Sequence, residues 1–200
     1  MKKAPELLIL IGFLVGVIGL SAVRFFSYKT DQVHYHANFA LYINGQQDEF
    51  KSFTFYEEVQ TCDVHDEDDT HGRAHMHGEN NHIVHVHAHA VTWGQFFANL
   101  GYSLGDRSFE TNKAPYLAGQ DGAELTFILN GKKVDSVANK VIQSEDILLI
   151  NYGKEDQATL QRRFDDIPRD AHQANITADP ASCSGSESPT LTTRLKHALL

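Results

Sequence analysis

From Leu7 to Val23 the chain reads LLILIGFLVGVIGLSAV without one charged residue. With Ala4, Phe25 and Phe26 the apolar stretch approaches the ~20 residues that a helix needs to cross a bilayer. Lys2 and Lys3 precede it and Arg24 follows. Basic residues at the extreme N-terminus favour keeping that end in the cytoplasm, which sends the remaining chain outward. A cleavable signal peptide would need small residues at its cleavage site. Ser21-Ala22-Val23 followed by Arg24-Phe25-Phe26 is a poor match, so the expectation is an uncleaved single-pass anchor over 7–26 behind a cytoplasmic stub of 1–6. Gly12 and Gly16 form a GxxxG, a spacing that can pack two helices together, but one such pair does not establish a dimer.

Past a linker at 27–32 the pattern changes to strict alternation. Val33, Tyr35, Phe39, Leu41 and Ile43 are apolar at odd positions, while His34, His36 and Asn38 are polar at even ones. Period two is the signature of a half-buried strand. Asn44-Gly45 then supplies a hairpin turn, and a second strand is expected through Phe50, Phe53 and Phe55. Residues 61–73, TCDVHDEDDTHGR, are acidic and read as a loop.

Residues 74–91 read as a hairpin: AHMHG, a turn at Glu79-Asn80-Asn81, then HIVHVHAHAV. A helix should follow, because Thr92 with Gln95 three residues on makes a capping box and Gly101 stops the run. Beyond a loop at 102–122, Leu125–Leu129 reads as a strand that turns at Asn130-Gly131 into Lys132-Lys133-Val134, and Asp146–Ile150 as a last buried strand. Leu160, Phe164, Ile167 and Ala171 fall at helical spacing, with Pro168 breaking or kinking that helix. The tail beyond is rich in Ser and Thr and reads as loose. The predicted class is α+β: a strand-rich domain over 33–175 with antiparallel hairpins and two or three short helices, behind the transmembrane helix and ahead of a flexible 176–200.

Composition then narrows the chemistry. A formal net charge of −9 argues against nucleic acid, whose phosphates require clustered Lys and Arg. Two cysteines, Cys62 and Cys183, occur without a Cys-x-x-Cys, so zinc-ribbon and thioredoxin signatures are absent. Outside the cytosol the two can pair, closing a long loop for roughly 4–5 kcal/mol in the loop-entropy model, or remain two thiols. Histidine is the outlier: the chain has 12, and ten of them lie between His34 and His89.

Residues two apart on a strand share a face. His34/His36, His75/His77 and His85/His87 therefore each present two imidazoles side by side, and His89 extends the last row. With Asn81 at the centre of the turn, His77 would face His85 and His75 would face His87, on one face of the hairpin. The 33–43 strand, lying beside it, would add His34 and His36. Imidazole suits zinc, copper, iron and nickel rather than calcium or magnesium. Three histidines with an open position are a catalytic-zinc arrangement. Without a Met-rich or Cys-containing ligand set, Cu(II) or Zn(II) fits best. A solvated surface row and a pH sensor that charges near pH 6 are the alternatives. His65 and His71 sit among Asp66, Glu67, Asp68 and Asp69, where a solvated charge run is the default.

The ordered run HYHANFALYINGQ, HMH, HVHAHAVTWGQFFANLGYSLG, ILNGKKV and DILLINYG resembles a family of bacterial and archaeal membrane-anchored proteins. Their pattern is His-x-His-Ala, two further His-x-His pairs and Thr-x-Gly-x-Phe-Phe. The match covers about 33–175, and it implies His34, His36, His75, His77, His85 and His87 as motif positions. Some members carry a protein-disulfide isomerase label, from which this chain departs in lacking Cys-x-x-Cys. The closing stretch also resembles the end of small β-grasp domains. The expected function is extracytoplasmic binding of copper or zinc for capture, buffering or delivery, at a cell membrane reached through the N-terminal helix; no protein partner is indicated. The alternative is a His-ligated metalloenzyme, a zinc hydratase or hydrolase or a copper redox enzyme, with Glu57, Glu58 or Glu79 as candidate base.

Overall fold

The computed structural model describes residues 3–28, 33–56, 71–78, 80–177 and 191–199. It divides into two compact units, Met1–Gln32 with Ser186–Leu200, and Val33–Gly185. In the first, α1 (Lys3–Ser27) spans 25 residues, about 37 Å at the helical rise against a hydrocarbon core of about 30 Å. Its segment Glu6–Ser27 is long and apolar enough to cross a membrane, and its Leu, Ile, Val and Phe side chains from Leu7 to Val23 are exposed. The tail, expected to be loose, carries a helix over Leu191–Leu199. Arg194 Nη1 in it donates to the Phe25 carbonyl at 3.0 Å, satisfying an acceptor that the end of α1 leaves open.

The second unit is built on β1 (Tyr35–Ile43), whose odd residues Ala37, Phe39 and Leu41 are fully buried on one face. At Asn44 and Gly45 φ is +49° and +87°, the left-handed pair that a tight hairpin turn requires. The partner strand β2 (Gln46–Gln47) is only two residues long. The strand expected through Phe50, Phe53 and Phe55 does not form. Asp48 Oδ1 accepts from the Phe50 amide at 3.0 Å, a local turn that competes with the ladder, and Phe53–Phe55 make a single 3-10 turn.

Then come β3 (Ala74–His75), β4 (Ile83–Val86) and α2 (Trp93–Asn99). Helix α2 starts at the expected capping box: Thr92 Oγ1 accepts from Gln95 N at 3.2 Å, and Gln95 Oε1 accepts from Thr92 N at 2.9 Å. Residues 102–122, expected as loop, contain a small antiparallel sheet of β5 (Ser103–Leu104), β6 (Ser108–Glu110) and β7 (Pro115–Leu117). β8 (Glu124–Leu129) turns at Asn130-Gly131 into β9 (Lys132–Val134). β10 (Ile147–Gly153) precedes α3 (Gln157–Asp165) and α4 (Ala171–Ile176), with Pro168 between the two helices.

The main sheet runs β3-β4-β1-β10-β8-β9, with β2 at the end of β1. β1 and β10 are parallel at its centre, and the other pairs are antiparallel. On the α2 face, Phe39 packs its ring against Phe96 and Phe97 at 5.1 and 5.8 Å, edge to face. Each such burial is worth roughly 1.5–3 kcal/mol. On the opposite face, Ala40, Ile128 and Leu149 pack against Leu160, Phe164 and Ile167.

That second face also carries the even residues of β1. Asn38, 1% exposed, donates through Nδ2 to Asp170 Oδ1 at 2.6 Å and accepts from the Ala171 amide at 3.0 Å. One side chain therefore ties the start of α4 to β1. Asn38→Ala would strand two polar partners and should destabilise the domain by about 1–3 kcal/mol. The check is a lower urea midpoint with unchanged m.

Candidate metal centre

The same alternation that sends Phe39 into the core puts His34 and His36 on the opposite face. β4 lies antiparallel beside β1 with His36 opposite His85, and β3 lies beyond β4 with His75 opposite His85. The hairpin register thus differs by two residues from the expected pairing of His75 with His87 and His77 with His85. A shift of two preserves the face, whereas a shift of one would have scattered the histidines. The closing segment is centred on residue 80 rather than Asn81, since Ala74 lies opposite Val86 and His75 opposite His85.

Six imidazoles consequently converge across three neighbouring strands. Ring centroids lie 4.6 Å apart for His34–His36 and His34–His87, 4.3 Å for His36–His85, 3.6 Å for His77–His85 and 5.0 Å for His75–His87. His36, His75 and His85 are buried, and His34, His77 and His87 are half-buried. His34, His85 and His87 each offer a ligand nitrogen within 4.8 Å of the others, so this triad can hold a metal ion. His87 Nε2 is buried and makes no hydrogen bond among the described residues. In the tautomer with its proton on Nδ1, this nitrogen carries the lone pair that an imidazole ligand requires.

The electrostatics hold His85 and His87 neutral. Burial lowers the pKa of His85 far below its ordinary value, and the imidazoles of His77, His36, His75 and His87 lower it further. Burial pushes His87 down to about 3, helped by His75, His34, His36 and His77. Neutral imidazole is the form that binds metal.

Around the cluster, α4 supplies contacts that the sequence did not reveal. Asn175 Oδ1 lies 2.8 Å from the His36 backbone nitrogen and 2.8 Å from His36 Nδ1. His36 Nε2 in turn lies 2.8 Å from His85 Nδ1. Asn175 Nδ2 donates to Ser144 Oγ at 3.1 Å and to Glu145 Oε1 at 3.4 Å. His82, outside every His-x-His pair, meets Asp170 Oδ2 through Nε2 at 2.9 Å. Burial works to raise the Asp170 pKa, but the hydrogen bonds from His82 and Asn38 outweigh it and the carboxyl ends below its ordinary value. Nothing in the local sequence pattern marks Asn175, since it acts across 139 residues of chain.

Of the other expected residues, His89 lies beyond β4 in an exposed turn before Ala90, whose φ is +58°. His71 lies in a 3-10 turn, His71–Arg73. His65, Cys62, Cys183 and the candidate bases Glu57, Glu58 and Glu79 fall outside the described residues. No protein-family model, curated protein or solved structure matches the chain.

Proposed function

We propose that this protein binds Cu(II) or Zn(II) on the outer side of a cell membrane, to capture, buffer or deliver the ion. The observation that carries the reading is the triad of His34, His85 and His87, with ligand nitrogens mutually within 4.8 Å, inside a wider group of buried and half-buried imidazoles. All-imidazole donors suit Cu(II) and Zn(II). Three such ligands leave a coordination position for an incoming group, which is what exchange of the ion with a second carrier requires. The helix Glu6–Ser27, with Lys2 and Lys3 before it, would hold the histidine domain at the outer surface.

Calorimetric titration of the full chain in detergent micelles tests the reading. One equivalent of Cu(II) or Zn(II) should bind tightly near neutral pH, and Mg(II) should not. His65→Ala with His71→Ala should leave that affinity nearly unchanged, because neither residue belongs to a His-x-His pair. If that variant alone loses the ion, the strand cluster is not the site. A reporter fused at the C-terminus should be active only in its exported form, and cytoplasmic activity would overturn the orientation.

A further inference from the structure

We propose that Asn175 is a positioning residue that fixes the protons of His36 and His85, so that His85 offers Nε2 to the ion and His36 supports His85 rather than binding the ion itself. The inference rests on the metal-binding reading but makes its own claim about which imidazoles are ligands.

The His36 backbone nitrogen can only donate, so the Asn175 atom 2.8 Å away is its carbonyl oxygen. That assignment also aims the amide nitrogen at the Glu145 carboxylate and Ser144 Oγ, which accept from it. The orientation of the amide is therefore settled from both ends. A carbonyl oxygen has no proton, so His36 Nδ1, 2.8 Å from the same oxygen, must carry one. His36 is 2% exposed and crowded by other imidazoles, and a buried charge there would be costly; the ring stays neutral.

A neutral ring with its proton on Nδ1 has only a lone pair on Nε2. His85 Nδ1, 2.8 Å from that lone pair, must then be the donor. The remaining nitrogen of His85, Nε2, is left with the free lone pair that a metal takes. The oxygen of one amide thus sets two tautomers in series.

A ligating histidine ordinarily passes its other N–H to a carbonyl, a carboxylate or water, which orients the ring and raises its basicity. Here a second imidazole fills that role and is itself held by Asn175. His36 falls outside the triad whose nitrogens share one locus, as expected for a support rather than a ligand. Helix α4, anchored separately through Asn38 and Asp170, is the element that delivers Asn175.

The experiment uses the full chain in detergent micelles, with 15N-labelled histidine. In the metal-free parent near pH 7.5, ring-nitrogen shifts should place the proton on Nδ1 of both His36 and His85. Asn175→Leu should lose that pattern at both rings. The same variant should bind Cu(II) about 10–100-fold more weakly, the usual effect of removing such a partner, while pulsed EPR counts the same number of bound imidazoles as in the parent. His36→Gln, whose amide oxygen can still accept from His85 Nδ1, should keep that count and more of the affinity than His36→Leu does. A proton on Nε2 of His36 in the parent would overturn the proposal. So would a count reduced by one in His36→Gln, which would make His36 a ligand. If the parent binds neither Cu(II) nor Zn(II), the metal reading fails and this proposal with it; tautomers still in the stated pattern would leave Asn175 a purely structural clamp. If Asn175→Leu does not fold, the parent shifts and the His36→Gln count decide.

Discussion

Replacing His34 and His87 together with alanine should weaken Cu(II) or Zn(II) binding by about ten-thousandfold. Structural zinc sites built from about four ligands are worth roughly 10–16 kcal/mol. Each ligand thus carries about 3 kcal/mol, which is roughly a hundredfold in affinity. His34 and His87 are two of the three residues whose ligand nitrogens share one locus; their rings stack at 4.6 Å across β1 and β4. Removing both leaves His85 alone on the ion. The fold should survive, because both side chains are half-buried and lie on the face away from the Phe39–Phe96–Phe97 core.

His75→Ala with His77→Ala removes as many imidazoles but takes them from the end of β3 and the segment after it, at the edge of the sheet. Its effect should be smaller by at least a factor of ten, an estimate that assumes less than a full ligand's share is lost. Titration by calorimetry, with melting followed in parallel, separates lost ligands from lost fold. If the β3 pair abolishes binding while the His34 and His87 variant retains it, the ion belongs between β3 and β4, and the triad is a consequence of packing.

The parts of this molecule that were legible in the sequence are those governed by short-range rules. Alternation over 33–43 identified β1 and its two faces, because successive side chains point to opposite sides of a strand; the half-buried strand it suggested is instead buried on both faces over residues 36–41. Asn44-Gly45 and Asn130-Gly131 marked two turns through their need for positive φ. Thr92 and Gln95 marked the start of α2 through reciprocal hydrogen bonds that any such spacing can make. The shared face of the histidines followed from parity alone, and parity survived an error of two residues in register.

What escaped depends on longer range or on very short elements. β5, β6 and β7 have two or three residues each, too few for a period to appear. The spacing of Phe50, Phe53 and Phe55 suggested a strand, but a hydrogen bond from the Phe50 amide to the Asp48 side chain won locally. The parallel pairing of β1 with β10 joins segments more than a hundred residues apart, and Asn175 reaches His36 over a similar distance. Such contacts are set by the way the sheet and α4 stack, which no local window contains. The choice of His34, His85 and His87 over the other imidazoles also required coordinates, since sequence parity treats all six alike.

Acid should destabilise the metal-free domain well before its carboxylates protonate. His87 has a folded pKa of about 3 against 6.5 for the unconstrained side chain, and His85 is lowered further still. Between those limits the unfolded chain binds protons that the folded one refuses. Stability is therefore full above pH 6.5 and falls as pH drops below it. Each excess proton gives a slope of about 1.4 kcal/mol per pH unit. Two such groups remove about 4 kcal/mol by pH 5, a large part of the 5–15 kcal/mol that a domain usually has.

The acids Asp170 and Glu155, whose pKa values are lowered, act with the same sign but only near pH 4 and below, so the two windows are distinct. Urea midpoints at pH 7.5, 6.5, 5.5 and 5.0, with EDTA present, should fall steeply across this series. His85→Leu with His87→Leu should flatten the curve above pH 5, since neither side chain then titrates. Saturating Zn(II) should raise the midpoint at pH 7.5, by about 2.7 kcal/mol at a hundredfold excess over Kd. That gain should shrink toward pH 5 as protons compete for the imidazole lone pairs. A parent profile that stays flat from pH 7.5 to 5 would mean that the imidazoles take up protons as readily folded as unfolded. The cluster would then be open to water, and neither its neutrality nor its fit to a metal would follow from burial.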